Sequence, residues 1–282
     1  MKIVPENGHF ISGFRSSLNP DQKIGFRPDL WPYIMSWPLV YMIARTRMTP
    51  NQVGLLSLIS GIGVIGCLFG GLYLQNPLLV ASLLLIRILL DCADGQLARY
   101  TGQTSSLGAL YDLTSDFLFV LLMTAATAYA LVIHHGENPD MIVPLAIGGF
   151  FGSTMAATIH SFVSALASNP GESQAEVQQR FIHPPFNDRP GNPSYTARLS
   201  IFSIVFLWSW GGISRLVMIV IGRGSLDKRR QKLLSLLSPV EFGAQLILLL
   251  IIVVFRSSLF YVYLFQLLGL AWSLLLVLIF ND

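Results

Sequence analysis

Charge is what this sequence has least of. Asp, Glu, Lys and Arg make up 12% of its 282 residues, against about a quarter in an ordinary soluble domain. That scarcity excludes a fold whose surface is mostly in water. Cysteine is also scarce. Cys67 and Cys92 are the only two, both in apolar stretches; no disulfide framework is visible, and both read as packing residues. No His/Cys set is spaced for zinc. No fixed-period repeat, low-complexity tract or sizeable soluble segment interrupts the chain. The net charge of +3 is small, and nothing points to a nucleic-acid partner. The opening stretch, MKIVPENGHFISGF, is too polar for the apolar core of a secretory signal, so the first strongly apolar span is expected to stay in the protein.

Apolar residues are abundant. Hydrophobic types reach 53% and the mean hydropathy is +0.60, as expected of a polytopic membrane protein. A helix needs about 20 apolar residues to cross the hydrocarbon core. Six runs qualify: Val53 to Leu74, Pro77 to Ala98, Leu107 to Ile133, Met141 to Ala167, Pro239 to Phe255 and Leu259 to Phe280. The expected fold is an all-α integral membrane protein with six transmembrane helices. A further run, Leu199 to Ile221, admits two readings: an interfacial or re-entrant helix with Arg215 near the headgroups, or a seventh crossing. The first is preferred, because a crossing would turn the basic cluster from Arg223 to Lys232 outward.

Basic residues set the orientation. Lys2, Arg15, Lys23, Arg27, Arg45 and Arg47 precede the first span, Arg99 follows the second, and Arg180, Arg189, Arg198 and the 223–232 cluster follow the fourth. The opposite loops hold little positive charge beyond Arg256. Both termini are therefore expected in the cytoplasm. Residues 30–47 carry Trp31, Tyr33, Trp37 and Tyr41 and end in Ala-Arg-Thr-Arg, which predicts a helix lying on the inner surface, broken or kinked by Pro32 and Pro38. Two helix starts are explicit. Thr49-Pro50-Asn51-Gln52 and Ser238-Pro239-Val240-Glu241 each read as a capping box with proline at the first helical position, which gives Glu241 a structural role. Residues 1–48 are thus expected to form a cytoplasmic segment with an interfacial helix, and 49–282 a transmembrane domain with a polar loop and apolar insert at about 168–237.

The chemistry concentrates in one run, LDCADGQLARYTGQTSSLGALYDLTSD. Asp91 and Asp94, three apart, share a helix face, as do Asp112 and Asp116, four apart. A short turn joins the two helices, so they are expected to pack antiparallel with the four carboxylates converging near the inner surface. Such a group cannot stay ionised together at membrane depth without compensation. Arg87, one turn before Asp91, can pair with one of them. Two divalent cations would neutralise the rest, and oxygen ligands suit magnesium, manganese or calcium. A dinuclear site of this kind fits phosphoryl transfer. Gly95, Ala98, Gly102 and Gly108 keep the walls small, and Arg99 stands at the water edge where a guanidinium grips phosphate. A proton or ion path through the membrane is the other reading of the same carboxylates.

The run resembles the signature of the CDP-alcohol phosphatidyltransferase family, D-x2-D-G-x2-A-R-x8-G-x3-D-x3-D. Asp91, Asp94, Gly95, Ala98, Arg99, Gly108, Asp112 and Asp116 occupy all eight fixed positions. The surface helix, the Thr-Pro-Asn start and the six-span layout extend the likeness to most of the chain. The resemblance implies transfer of a phosphoalcohol group from a CDP-alcohol donor, with CDP-diacylglycerol expected, to an acceptor hydroxyl, releasing CMP. It implies that Asp91, Asp94, Asp112 and Asp116 hold two Mg²⁺ or Mn²⁺ ions and that Asp116 is also the general base. Gly95, Arg99 and Ser105 would contact the donor diphosphate, and Pro50 and Asn51 would line the cytidine pocket. The family pattern also implies a homodimer with its active site at the cytoplasmic face. The 168–230 region departs from the simpler members, and the fourth span lacks the Lys or Arg that meets a phosphorylated acceptor. His160, Arg189 and Arg198 are the candidate acceptor contacts. An intramembrane cation transporter and a Mg-dependent prenyltransferase are the alternatives, although no second aspartate cluster and no second half appear. The motif does not say whether the lipid rides on donor or acceptor.

Overall fold

In the computed structural model the chain is described over residues 10–18, 30–168, 230–237 and 259–280, with single positions at 174, 176, 177, 212 and 252. The expected span Pro239 to Phe255, the run Leu199 to Ile221, the Ser238 cap with Glu241, Arg189 and Arg198 fall outside these residues, apart from positions 212 and 252. Among the described residues every regular element is helical: α1 (Phe10–Ser17), α2 (Trp31–Ile43), α3 (Pro50–Phe69), α4 (Leu72–Gln75), α5 (Pro77–Tyr100), α6 (Ser106–His135), α7 (Pro139–Ser168), α8 (Arg230–Leu237) and α9 (Phe260–Phe280).

Four of them are long and apolar enough to cross a membrane: Pro50–Phe69, Tyr111–His135, Pro139–Ala167 and Phe260–Phe280. These are four of the expected spans. The helix of the second span, α5, is also formed, but Arg87, Asp91, Asp94 and Arg99 lie along it, and their charge keeps it outside that apolar class. The outward faces fit lipid rather than water: Leu55, Leu56, Ile59 and Ile62 on α3, and Leu264, Leu268, Leu275 and Leu278 on α9, are exposed. A lipid-facing surface carries no penalty for such side chains.

Local chemistry explains most boundaries. Thr49 caps α3 as expected: its hydroxyl accepts from the Gln52 N–H at 3.4 Å, and the Gln52 side chain accepts from the Thr49 N–H at 2.9 Å. The first span ends earlier than the apolar run does. The chain turns at Gly70 and Gly71, where Gly71 takes φ 70°, before the short α4. Hydropathy continues through this break because Leu72 and Leu74 remain apolar. The surface helix also differs from expectation. It runs unbroken through both prolines and stops at Ile43 rather than Arg47. Pro32 falls in the first turn, where a missing N–H costs nothing. Pro38 sits inside, on the exposed side. The helix α1 was not foreseen.

Three apolar clusters hold the bundle. Val64, Leu68, Leu84, Ile88, Phe119, Leu131 and Ile142 join α3, α5, α6 and α7. The Tyr263 hydroxyl, on α9, donates to the Thr124 carbonyl of α6 at 2.8 Å in the same layer. Ile159, Phe162, Leu166, Leu233, Leu237 and Val277 join α7, α8 and α9. Trp37, Val40, Val53, Ala93, Leu97 and Tyr100 fasten α2 to α3 and α5. Neither Cys67 nor Cys92 is in a disulfide.

Candidate active site

The helix α3 packs against both α5 and α6, and Leu84 and Ile88 of α5 share an apolar cluster with Phe119 and Met123 of α6. Arg87 reaches from α5 to α6. Its guanidinium lies 4.9 Å from the centroid of the Phe119 ring on α6, within cation–π range.

Arg87 organises the carboxylates. Only 2% of its side chain is exposed. One terminal nitrogen donates to the Ser57 hydroxyl on α3 at 2.7 Å and to Asp91. The other donates to Asp116 Oδ1 at 2.5 Å. The Ser57 hydroxyl donates in turn to the Arg87 carbonyl at 3.1 Å. The sequence suggested one acidic partner for this arginine; it has two, one from each motif helix. Asp91 and Asp116 stay about a quarter exposed, so both carboxylates remain open to a ligand. Neither Ser57 nor Phe119 stood out from the sequence. The only signal for Ser57 was its place two turns after the Thr49 cap, on the helix that closes the site.

Oxygens of Asp91, Asp112 and Asp116 lie within 4.8 Å of one another. Asp94 is turned differently. Its carboxylate presses on α3 at Gly54, where a Cβ would stand 2.7 Å from Oδ2. Only glycine admits that approach. Asp94 remains near enough to feel the charges of Asp91 and Asp116. Four carboxylates thus face one buried guanidinium, with Arg99 acting on Asp112 at longer range. The residues fit a hard divalent cation. Every donor is a carboxylate oxygen, the group carries surplus negative charge, and Arg87 contacts two of the four.

The remaining motif residues border this group. The Arg99 guanidinium lies over Gly95, its terminal nitrogens 3.2 and 3.5 Å from where a Cβ would stand, and its Nε donates to the Ser17 carbonyl at 2.5 Å. Ser105 caps α6 by accepting from the Gly108 N–H at 3.0 Å. Asn51, at the start of α3, places its amide oxygen beside Gly108, and Pro50 is the first residue of the same helix. His160 is buried on α7, next to Ile159 of the cluster shared with α8 and α9.

The fold and this centre define an integral membrane protein with an acidic, arginine-bridged site. Residues 47–221 match the CDP-alcohol phosphatidyltransferase family. The match covers more than half of the chain, and the protein belongs to that family. It is similar to an archaetidylinositol phosphate synthase of Pyrococcus horikoshii, 37% identical over 78 residues, or 27% of this chain and 38% of the relative. A second archaetidylinositol phosphate synthase, from Aeropyrum pernix, is 34% identical over 105 residues, or 35% of this chain and 52% of the relative. The chain thus aligns with about half or less of these relatives' length. Divalent metals are typical of the family, in accord with the donor set.

Proposed function

We propose that this protein moves a phosphatidyl-type group from a CDP-linked lipid, CDP-diacylglycerol, to the hydroxyl of a small polar acceptor, with release of CMP. The observation that carries the reading is the meeting of Asp91, Asp112 and Asp116 within 4.8 Å around one buried arginine. A cation path would use the same carboxylates, but the family match over 47–221 favours the transferase.

In this reading Asp91, Asp94, Asp112 and Asp116 hold two Mg²⁺ or Mn²⁺ ions, which when bound would neutralise the phosphate oxygens of the donor. The protein residues do the rest. Arg99, Ser105 and the Gly95 backbone grip the diphosphate, and Pro50 and Asn51 line the cytidine pocket. Arg87 holds one oxygen of Asp116, which leaves the second oxygen to take a proton from the acceptor hydroxyl. The acceptor oxygen attacks the donor's β-phosphorus. The bond from that phosphorus to the bridging oxygen breaks, and CMP leaves with the electron pair. His160, Arg189 and Arg198 are the candidate acceptor contacts. The names of the two relatives make inositol phosphate the first acceptor to try. The division at residue 49, cytoplasmic termini and active site, six crossings and a homodimer complete the proposal.

The test is product identification. Purified protein is given CDP-diacylglycerol with glycerol 3-phosphate, serine, inositol or inositol phosphate. Separately, CDP-choline and CDP-ethanolamine are offered with diacylglycerol. Lipid products are read by mass spectrometry. A new lipid from one CDP-diacylglycerol pair supports the reading. Product only from the diacylglycerol arm would reverse the proposed direction, and none from any pair would contradict the function.

A further inference from the structure

The helix α1 stands outside the motif, yet it touches the motif's arginine. Ser17 is its last residue, and the final carbonyls of a helix have no intrahelical donor and carry partial negative charge. The Ser17 carbonyl receives the Arg99 Nε–H at 2.5 Å. This bond fixes the plane of the guanidinium, whose terminal nitrogens then lie over the open face of Gly95.

Gln96 locks that arrangement. It occupies a variable place in the signature, between Gly95 and Ala98, and is fully buried. Its amide nitrogen donates to the Ser17 hydroxyl at 3.3 Å and to the Tyr33 carbonyl at 3.1 Å. Its amide oxygen accepts from the Ser36 hydroxyl at 2.6 Å. One side chain of α5 therefore ties both α1 and α2 beside the motif. Trp37 fastens the other end of α1, donating to the Phe10 carbonyl at 3.0 Å and packing edge-on against Tyr100. Gly13 fits between these rings, where a Cβ would meet Trp37 at 2.9 Å and Tyr100 at 3.1 Å. A surface helix needing only apolar cover would not require a buried amide with three partners. Such a network is costly unless complete.

We infer that α1 is a positioning element of the donor site: Gln96 and Trp37 dock it, and its terminal carbonyl holds Arg99 flat over Gly95 to receive the diphosphate of a CDP-linked donor. This rests on the assignment of Arg99 to that diphosphate. Neither Gln96 nor Ser17 touches the reacting atoms. Their effect passes through Arg99, so it falls on donor affinity rather than on turnover.

The experiment uses the full chain in detergent, with Gly13→Leu to wedge α1 from Trp37, Gln96→Leu to remove the lock, Arg99→Ala, and the Gly13→Leu/Arg99→Ala double variant. Tryptic cleavage at the exposed Arg15 reads docking. The KM for CDP-diacylglycerol and kcat read function. Gly13→Leu and Gln96→Leu should each speed cleavage and raise the donor KM about tenfold, the loss expected for one charge-assisted bond, with kcat within about twofold. The double variant should bind donor no worse than Arg99→Ala alone, because coupled residues are not additive. Faster cleavage with a normal KM, or an additive double variant, would overturn the inference while leaving the role of Arg99 intact. Unchanged cleavage in both single variants would overturn docking by these residues. A normal KM in Arg99→Ala would instead overturn the diphosphate assignment, and the coupling with it.

Discussion

Replacing Arg87 by methionine removes the buried cation that bridges Asp91 and Asp116 and keeps most of its apolar stem. The change deletes the contacts to Asp91, Asp116 and Ser57 and leaves two carboxylates facing each other across α5 and α6. Breaking a buried ion pair from one side costs about 3–5 kcal/mol. For a chain of this size roughly 2–3 °C of melting temperature goes with each kcal/mol, so the loss should be roughly 6–15 °C. The assay is thermal unfolding in detergent by tryptophan fluorescence, first in EDTA and then in Mn²⁺. Cations that bind the folded state stabilise it by mass action, and in the variant they also replace the missing charge. The Mn²⁺-induced gain should therefore be larger for Arg87→Met than for the natural protein. A variant that melts within about a degree of the natural protein in EDTA would refute the bridging role assigned to Arg87.

Other substitutions separate chemistry from architecture. Asp116→Asn keeps an oxygen for Arg87 but cannot take a proton, so CMP release should fall about 10²–10⁴-fold with near-natural Mn²⁺-free stability; full activity would remove Asp116 as base. Gly54→Ala places a methyl where Asp94 now sits, and Mn²⁺ affinity by electron paramagnetic resonance should drop roughly tenfold. An unchanged titration would mean that Asp94 is not held there for the metal. Thr49→Ala loses the α3 cap, costing about 1 kcal/mol, and the melting temperature should fall a few degrees with no change in Mn²⁺ dependence.

Much of the site was legible because helical spacing is a local property. Asp91 with Asp94, and Asp112 with Asp116, were placed correctly on their helices, and the Thr49 box was read to its hydrogen bonds. What failed depends on how helices meet. Spacing puts Asp91 and Asp94 on one side of α5, yet Asp94 leans on Gly54 while Asp91 joins Asp112 and Asp116. Only the placement of α3 decides that. The second partner of Arg87 lies 29 residues away, beyond any pattern within one helix. The short α1 was missed because Phe10, Ile11 and Phe14 are its only large apolar residues, and Ile11 is exposed. Its strength comes from Trp37 and Tyr100, which are distant in sequence. Hydropathy also hid the Gly70–Gly71 turn, since backbone geometry, not polarity, ends that helix.

The central claim is that the aspartate group works on a CDP-linked donor, and CMP release tests it most directly. Purified protein with CDP-diacylglycerol and the acceptor panel is assayed in Mn²⁺, in EDTA, and as Asp116→Asn. The account predicts CMP in Mn²⁺ alone, and almost none in EDTA or from the variant. CMP release that survives both EDTA and the loss of Asp116, or its absence with every acceptor from protein that binds Mn²⁺, would contradict it.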